Sequence, residues 1–185
     1  FKDSAGIPIL ERFYQDQAAV SFALQVMITS SLAEALREAV DQKPHVVLME
    51  RSVEATARVF AKMLAESGKM SVLEHQIYEY WYKQEAKNVP EGKTLFLKAS
   101  VGTVLERVQK RNRKGEVIEP AYMENLNKYY NRWHAEHPEW TVLDCEHDIV
   151  ANPAIVDEWI CECDRLIGFC RYGPPPGSMR TPDVE

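Results

Sequence analysis

Apolar residues recur every three or four positions along most of the chain, a spacing that predicts helices. The longest such stretch is 18–40, where Leu32, Leu36 and Val40 continue an apolar face. Gly68 is a natural helix stop after the third predicted helix. The other predicted helices cover residues 8–17, 53–67, 71–87, 101–110, 119–136 and 153–169.

Three short apolar runs, at 46–49, 94–99 and 140–143, break this helical spacing. A short apolar run bounded by turn residues is typical of a buried parallel strand. Single strands that alternate with long helices predict an α/β fold, with a parallel sheet flanked by helices. Three strands make a small sheet, so we expect a further, first strand upstream of Phe1.

The composition favours one globular domain, which we expect to span residues 1–168, and the proline-rich end at 169–185 is expected to be disordered. Aromatic residues 80–82 are expected to pack in the core. No run of about 18 apolar residues occurs, so no membrane span or membrane partner is expected. Four cysteines in 185 residues indicate a reducing compartment rather than a disulfide scaffold.

The formal net charge of −6 argues against a nucleic-acid partner, so any basic site must be local. Such a cluster occurs at the end of the predicted helix 101–110 and just after it, with Arg107 and Arg111 four positions apart on one face. Guanidinium groups bind phosphate oxygens bidentately, so the cluster suits a phosphate ligand. A solvated helix end, favoured by the helix dipole, is the alternative. The cluster comprises Arg107, Lys110, Arg111, Arg113 and Lys114.

Two further features carry candidate chemistry. Glu50 and Arg51 directly follow the predicted strand 46–49, the end of a parallel strand at which ligands bind. They suit metal or phosphate chemistry, although a surface ion pair is the alternative. Gln25 lies among apolar residues, where it either faces solvent or is a buried amide whose donor and acceptor suit a nucleobase edge.

Several stretches, in this order and spacing, resemble the deoxynucleoside kinase family, which includes thymidine kinase 2, the deoxycytidine and deoxyguanosine kinases and the insect enzyme. The similarity extends to about residue 168. The stretches that carry it are 10–16 (LERFYQD), 21–25 (SFALQ), 49–53 (MERSV), 80–83 (YWYK), and 107–120 followed by Tyr122.

The resemblance implies a kinase of nucleotide salvage that transfers the γ-phosphate of ATP to the 5′-hydroxyl of a deoxynucleoside. Tyr14 and Glu116 would hold the sugar 3′-hydroxyl. Gln25 would pair with the base edge, and Phe60 would stack on the base. Thr56 would line the same pocket.

The phosphate side of the site is also implied by the resemblance. Glu50 would bind Mg²⁺ or take the 5′-hydroxyl proton, and Arg51 would hold the 5′ end. Arg107, Arg111 and Arg113 would close over the ATP phosphates as a lid. Residues 146–148 (Glu146, His147 and Asp148) lie where family members contact the donor adenine. Family members are usually homodimers, and helices 18–40 and 53–67 could supply that face; the compartment is cytoplasmic or mitochondrial.

Base preference follows from two positions. Family members that prefer deoxycytidine or purines carry an Arg and an Asp where this chain has Leu32 and Thr56. The resemblance therefore implies a preference for pyrimidines, with thymidine or deoxyuridine first.

The chain also departs from the family. It contains no G-x-x-x-x-G-K-[ST] sequence and no following E-P motif, both of which are expected upstream of Phe1. The printed chain alone is therefore expected to be inactive. Lys114-Gly115 stands where acidic residues are common, which leaves Glu116 for the sugar contact. The alternatives are a non-catalytic kinase-fold accessory subunit, like that of respiratory complex I, or a nucleoside-binding relic.

Overall fold

The computed structural model describes residues 1–113 and 116–168. The predicted tail 169–185 and the dipeptide Lys114-Gly115 lie outside the described residues. The described part of the chain divides into two compact units, of which the first comprises Phe1–Gly92 and Ser100–Pro138 and the second comprises Lys93–Ala99 and residues 139–168. Whether residues 1–168 act as one domain stays a prediction.

Unit 1 is helical, and the six helices predicted within it are confirmed. The helix predicted at 53–67 is observed as three consecutive segments, the middle one a wider π-helix. The elements are α1 (Ile9–Gln15), α2 (Gln17–Asp41), α3 (Val53–Ala55), the π segment (Thr56–Ala61), α4 (Lys62–Glu66), α5 (Val72–Ala86), α6 (Val101–Arg111) and α7 (Pro120–Ala135).

The helix 53–66, made of α3, the π segment and α4, is the centre of unit 1. Ser52 caps its start, accepting a 3.0 Å hydrogen bond from the backbone of Ala55, and Gly68 follows its end with a φ of 69°. Most of its side chains are buried, and it contacts α2, α5 and α7. This helix therefore does not offer the free face that the homodimer prediction assigned to 53–67.

Unit 2 contains the sheet. Strands β1 (Leu95–Lys98) and β2 (Thr141–Asp144) pair in parallel, with Leu95 opposite Thr141, and α8 (Ala154–Ile167) contacts β2. Two of the predicted strands and the parallel sheet are thus confirmed. The chain has the α/β architecture that its alternation of helices and strands predicts.

The prediction of a strand at 46–49 is wrong: among the residues that the structure describes, this segment forms no strand. Residues 46–49 have no strand pairing, and the side chains of Val46 and Leu48 are 44% and 81% exposed. An apolar run becomes a strand only where a neighbouring strand supplies hydrogen-bond partners, and none of the described residues does so here.

Helices α2 and α5 differ from what the sequence predicts. By length and composition α2 is apolar enough to span a membrane, contrary to expectation, but its buried Ser21, Gln25 and Thr29 face the other helices of unit 1, as in a core helix. In α5 the buried aromatic residue is Tyr78, whereas Tyr80, predicted to be in the core, is 72% exposed.

Candidate functional site

Tyr14 and Glu116 lie close together, although they are far apart in sequence. Glu116 follows α6, its side chain is only 6% exposed, and both of its oxygens accept from Nη2 of Arg111 at 2.7 and 2.8 Å. The pKa of Tyr14, in α1, is raised, first by burial and then by the negative charge of Glu116. A phenol beside a held carboxylate can bind a hydroxyl that both donates and accepts.

Arg51 and Phe60 form the next part of the site. Arg51 has a φ of 68°, a left-handed conformation that is costly for a residue other than glycine and is concentrated at functional sites. Its guanidinium carbon lies 4.1 Å from the centre of the Phe60 ring. A base that stacks on this face of Phe60 must displace the guanidinium.

Two tyrosines of α7 complete an aromatic wall that the sequence analysis did not identify as part of the site. The ring of Tyr130 meets Phe60 edge-on, with centroids 6.0 Å apart. Burial raises the pKa of Tyr130, which the charge of Arg51 lowers and that of Glu50 raises. Burial also raises the pKa of Tyr122, where Tyr14 raises it further and Arg51 lowers it. The signal available in the sequence is the spacing of Tyr122 and Tyr130, eight positions apart on one helix.

Gln25 is buried, with 2% of its surface exposed, and its Oε1 has no hydrogen-bond partner. A buried amide oxygen without a donor costs about 1–3 kcal/mol, so proteins keep such groups where a ligand supplies the donor. The sequence left open whether Gln25 faces solvent, and the structure places it inside.

Thr56 and Phe60 both belong to the π segment, and such widened turns are frequent at functional sites. Thr56 is completely buried, and its hydroxyl donates to the backbone oxygen of Val53 at 2.6 Å. Its side chain therefore borders the site without an open hydroxyl for a ligand.

The remaining predicted residues are exposed. Arg107, Arg111 and Arg113 lie on the solvent side of α6 and just beyond it, and Glu50 precedes Arg51. Within the described residues, no group of three or more His, Cys, Asp or Glu side chains could hold a metal ion. A single carboxylate still fits Mg²⁺, since this ion is commonly bound through one or two carboxylates and the substrate's phosphates. Glu146, His147 and Asp148 belong to unit 2, where they are exposed.

The tyrosines give a prediction for alkaline pH. Burial raises the pKa of Tyr122 to about 12, whereas the pKa of an unfolded tyrosine is about 10. The folded protein keeps this proton longer, so the free energy of unfolding is full below about pH 10 and falls as the pH rises to about 12. In denaturant titrations across this range, Tyr122→Phe is expected to lose less stability than the wild type. An equal loss of stability in the variant and the wild type would contradict the buried environment of Tyr122.

A family model described as deoxynucleoside kinase matches residues 1–167. Deoxycytidine kinase 2 of Gallus gallus is 29% identical over 139 residues, 70% of this chain and 52% of that protein. Deoxyadenosine kinase of Lactobacillus acidophilus is 26% identical over 174 residues, which cover 86% of this chain and 80% of that protein. Thymidine kinase 2, mitochondrial, of Macaca fascicularis is 25% identical over 156 residues, which cover 83% of this chain and 56% of that protein.

Among solved structures, a deoxyadenosine kinase from M. mycoides with bound dCMP and dCDP has a TM-score of 0.71 at 18% identity, covering 85% of this chain and 81% of that one. This likeness concerns the fold. The chain spans only about half the length of two of the curated relatives, 52% and 56%. Because the family model matches nearly all of residues 1–168, the chain belongs to the deoxynucleoside kinase family.

Proposed function

We propose that this protein is a deoxynucleoside kinase of nucleotide salvage, which transfers the γ-phosphate of ATP to the 5′-hydroxyl of a deoxynucleoside. The observation that carries the proposal is Gln25, a buried amide whose oxygen has no partner in the protein. A nucleobase edge supplies both the donor and the acceptor that such an amide needs.

The sugar and the base would be held by unit 1. Tyr14 and Glu116 bind the 3′-hydroxyl, because the phenol and the carboxylate converge on one region and Arg111 fixes the carboxylate. The base stacks on Phe60 once the guanidinium of Arg51 has left the ring, and Arg51 then contacts the 5′ end of the sugar. The binding of the substrate would thus release the arginine that the reaction uses.

The ATP phosphates would be held by Arg107, Arg111 and Arg113, whose exposure leaves room for a polyanion. Bound Mg²⁺ would neutralise charge on the transferred phosphate. Glu50 is the described carboxylate beside Arg51, and we assign it to the metal or to the proton of the 5′-hydroxyl. Glu146, His147 and Asp148 are proposed to contact the donor adenine.

For the base we propose a pyrimidine, with thymidine or deoxyuridine first. The support is that Thr56 and Leu32 are neutral where the purine- and cytidine-preferring relatives carry a charged pair. The names of the matched relatives cover deoxycytidine, deoxyadenosine, deoxyguanosine and thymidine kinases.

We also propose a homodimer, without nucleic-acid or membrane partners, in the cytoplasm or mitochondrion. Helix 18–40 keeps the place in the dimer contact that the family resemblance implies, and in place of the buried helix 53–66 we add α5. In α5, Leu73, Ile77 and Tyr80 form an apolar stripe that is 65%, 48% and 72% exposed. The helix has an acidic residue, Glu74, in its first turn and Lys83 in its last turn. Two antiparallel copies would place these opposite charges together.

The proposed function predicts that the site discriminates for the 3′-hydroxyl. By calorimetry, 3′-deoxythymidine is expected to bind the protein about tenfold more weakly than thymidine, because it leaves Tyr14 and Glu116 without their partner. In Tyr14→Phe, this difference should shrink to about twofold. Tyr80→Phe, at an exposed tyrosine, is the matched control and should keep it.

If a folded protein binds none of the deoxynucleosides, the kinase proposal is wrong and a non-catalytic accessory role is favoured. If thymidine binds but Tyr14→Phe retains the full preference for the 3′-hydroxyl, the base site survives and the sugar assignment is wrong.

A further inference from the structure

Arg51 and Tyr130 both pack against the ring of Phe60. The guanidinium carbon of Arg51 lies 4.1 Å from the centre of that ring, over the face to which we assign the base. The ring of Tyr130, in α7, stands at 86° to the ring of Phe60, with the two centroids 6.0 Å apart. The cation and the phenol are therefore neighbours around one aromatic side chain.

The charges that act on Tyr130 are those of the two residues assigned to the 5′ end of the substrate. Burial raises the pKa of Tyr130, the positive charge of Arg51 lowers it, and the negative charge of Glu50 raises it. Burial also raises the pKa of Tyr122, but there the next cause is Tyr14, which we assign to the 3′-hydroxyl. Of the two tyrosines in the aromatic wall, Tyr130 thus belongs to the 5′ side of the site.

A base that takes the face of Phe60 leaves the guanidinium of Arg51 in need of a new partner. Because Arg51 is exposed, a guanidinium without a partner would swing into solvent, away from the substrate. The phenol of Tyr130 offers an oxygen that accepts from N–H groups and a ring face that attracts a cation. Glu50 is already assigned to the metal or to the 5′-hydroxyl proton, so Tyr130 is the neighbour that suits the displaced cation.

We propose that Tyr130 is a positioning residue for the 5′ end of the substrate, which receives the guanidinium of Arg51 from Phe60 and holds it at the 5′-hydroxyl. This inference rests on the proposed function. Tyr130 acts through Arg51 and does not itself contact the nucleoside. Its hydroxyl therefore strengthens the binding of ligands that carry a 5′-hydroxyl and not of those that lack one.

The inference predicts that Tyr130→Phe weakens recognition of the 5′-hydroxyl. By calorimetry, the wild type is expected to bind thymidine about tenfold more tightly than 5′-deoxythymidine, because Arg51 donates to the 5′-hydroxyl. In Tyr130→Phe this preference should shrink to about threefold, since the ring stays but the hydroxyl that fixes the guanidinium is lost. Arg51→Met should abolish the preference, and adding Tyr130→Phe to it should not weaken thymidine binding further.

Two controls separate this role from a merely structural one. Tyr129→Phe removes the same atom from the next residue, whose phenol donates to Glu66 of α4, and should keep the full preference for the 5′-hydroxyl. Tyr130→Phe should keep the preference for thymidine over 3′-deoxythymidine, which Tyr14→Phe reduces. Thermal unfolding establishes that each variant is folded, and Arg51→Gln replaces Arg51→Met if the latter is not.

The outcomes are distinct. A wild-type protein that binds no deoxynucleoside overturns the proposed function and this inference with it. A wild type that binds thymidine, with a Tyr130→Phe variant that keeps the full preference for the 5′-hydroxyl, overturns this inference alone. A further loss of thymidine affinity when Tyr130→Phe is added to Arg51→Met also overturns it, because Tyr130 would then act without Arg51.

Discussion

Replacement of Gln25 by leucine is expected to weaken thymidine binding on the order of a hundredfold without lowering the free energy of unfolding. Binding falls because the polar edge of the base enters the site and finds no partner for its donor and acceptor. Stability is maintained because the replaced amide oxygen has no hydrogen-bond partner in the folded protein. Calorimetry and denaturant unfolding on the same variant measure the two effects.

Weakened thymidine binding together with unchanged stability in Gln25→Leu would show that the amide serves the ligand rather than the fold. Gln42→Leu, at the C-terminal cap of α2, is the matched control and should change neither quantity much. Gln25→Glu keeps the shape and an acceptor but loses the amide donors, so it should also bind thymidine weakly. A Gln25→Leu variant that binds thymidine normally, or that loses several kcal/mol of stability, would show that the amide has a structural role.

Leu64→Ala is expected to lower the free energy of unfolding by about 2–5 kcal/mol, with a corresponding fall in Tm. Leu64 is 1% exposed and lies in α4, at the end of the central helix 53–66, so its truncation leaves a cavity in the core of unit 1. Denaturant unfolding at a fixed protein concentration gives the value.

Ile77→Glu, on the exposed stripe of α5, is the counterpart of Leu64→Ala. It should dissociate the proposed dimer, as measured by light scattering, because a charge enters an apolar contact, and it should leave the folded monomer intact. Leu64→Ala should do the reverse. If Leu64→Ala dissociates the dimer with little loss of monomer stability, the dimer contact includes helix 53–67, as the family resemblance implies together with helix 18–40, and the assignment to α5 is wrong.

Helix positions could be predicted because their apolar spacing is a local property. The ends of helix 53–66 could also be predicted, because Ser52 is a typical N-terminal cap and Gly68 a typical helix stop. The strand at 46–49 could not be judged in this way, because a strand depends on a partner elsewhere in the chain. In α5 the sequence could not show which side of an amphipathic helix faces the core, and Tyr78 rather than Tyr80 is buried.

The candidate site could also be predicted only in part. The roles of Tyr14, Gln25 and Phe60 are implied by the resemblance to the family, and their residue types suit a nucleoside. The contact of Arg51 with Phe60 could not, since it depends on a positive φ that the sequence does not signal. Nor could the partners of Thr56, because Thr29 and Tyr78 reach it from two other helices.

The central claim is that Gln25 reads a nucleobase inside unit 1, and the most direct test is an NMR titration of its side-chain amide. The resonances of ¹⁵N-labelled protein would be assigned to Gln25 by their disappearance in Gln25→Leu. The account predicts that thymidine shifts them saturably, with the midpoint that calorimetry gives, and that 3′-deoxythymidine shifts them at higher concentration. Saturable thymidine binding that leaves the Gln25 amide unmoved would contradict it.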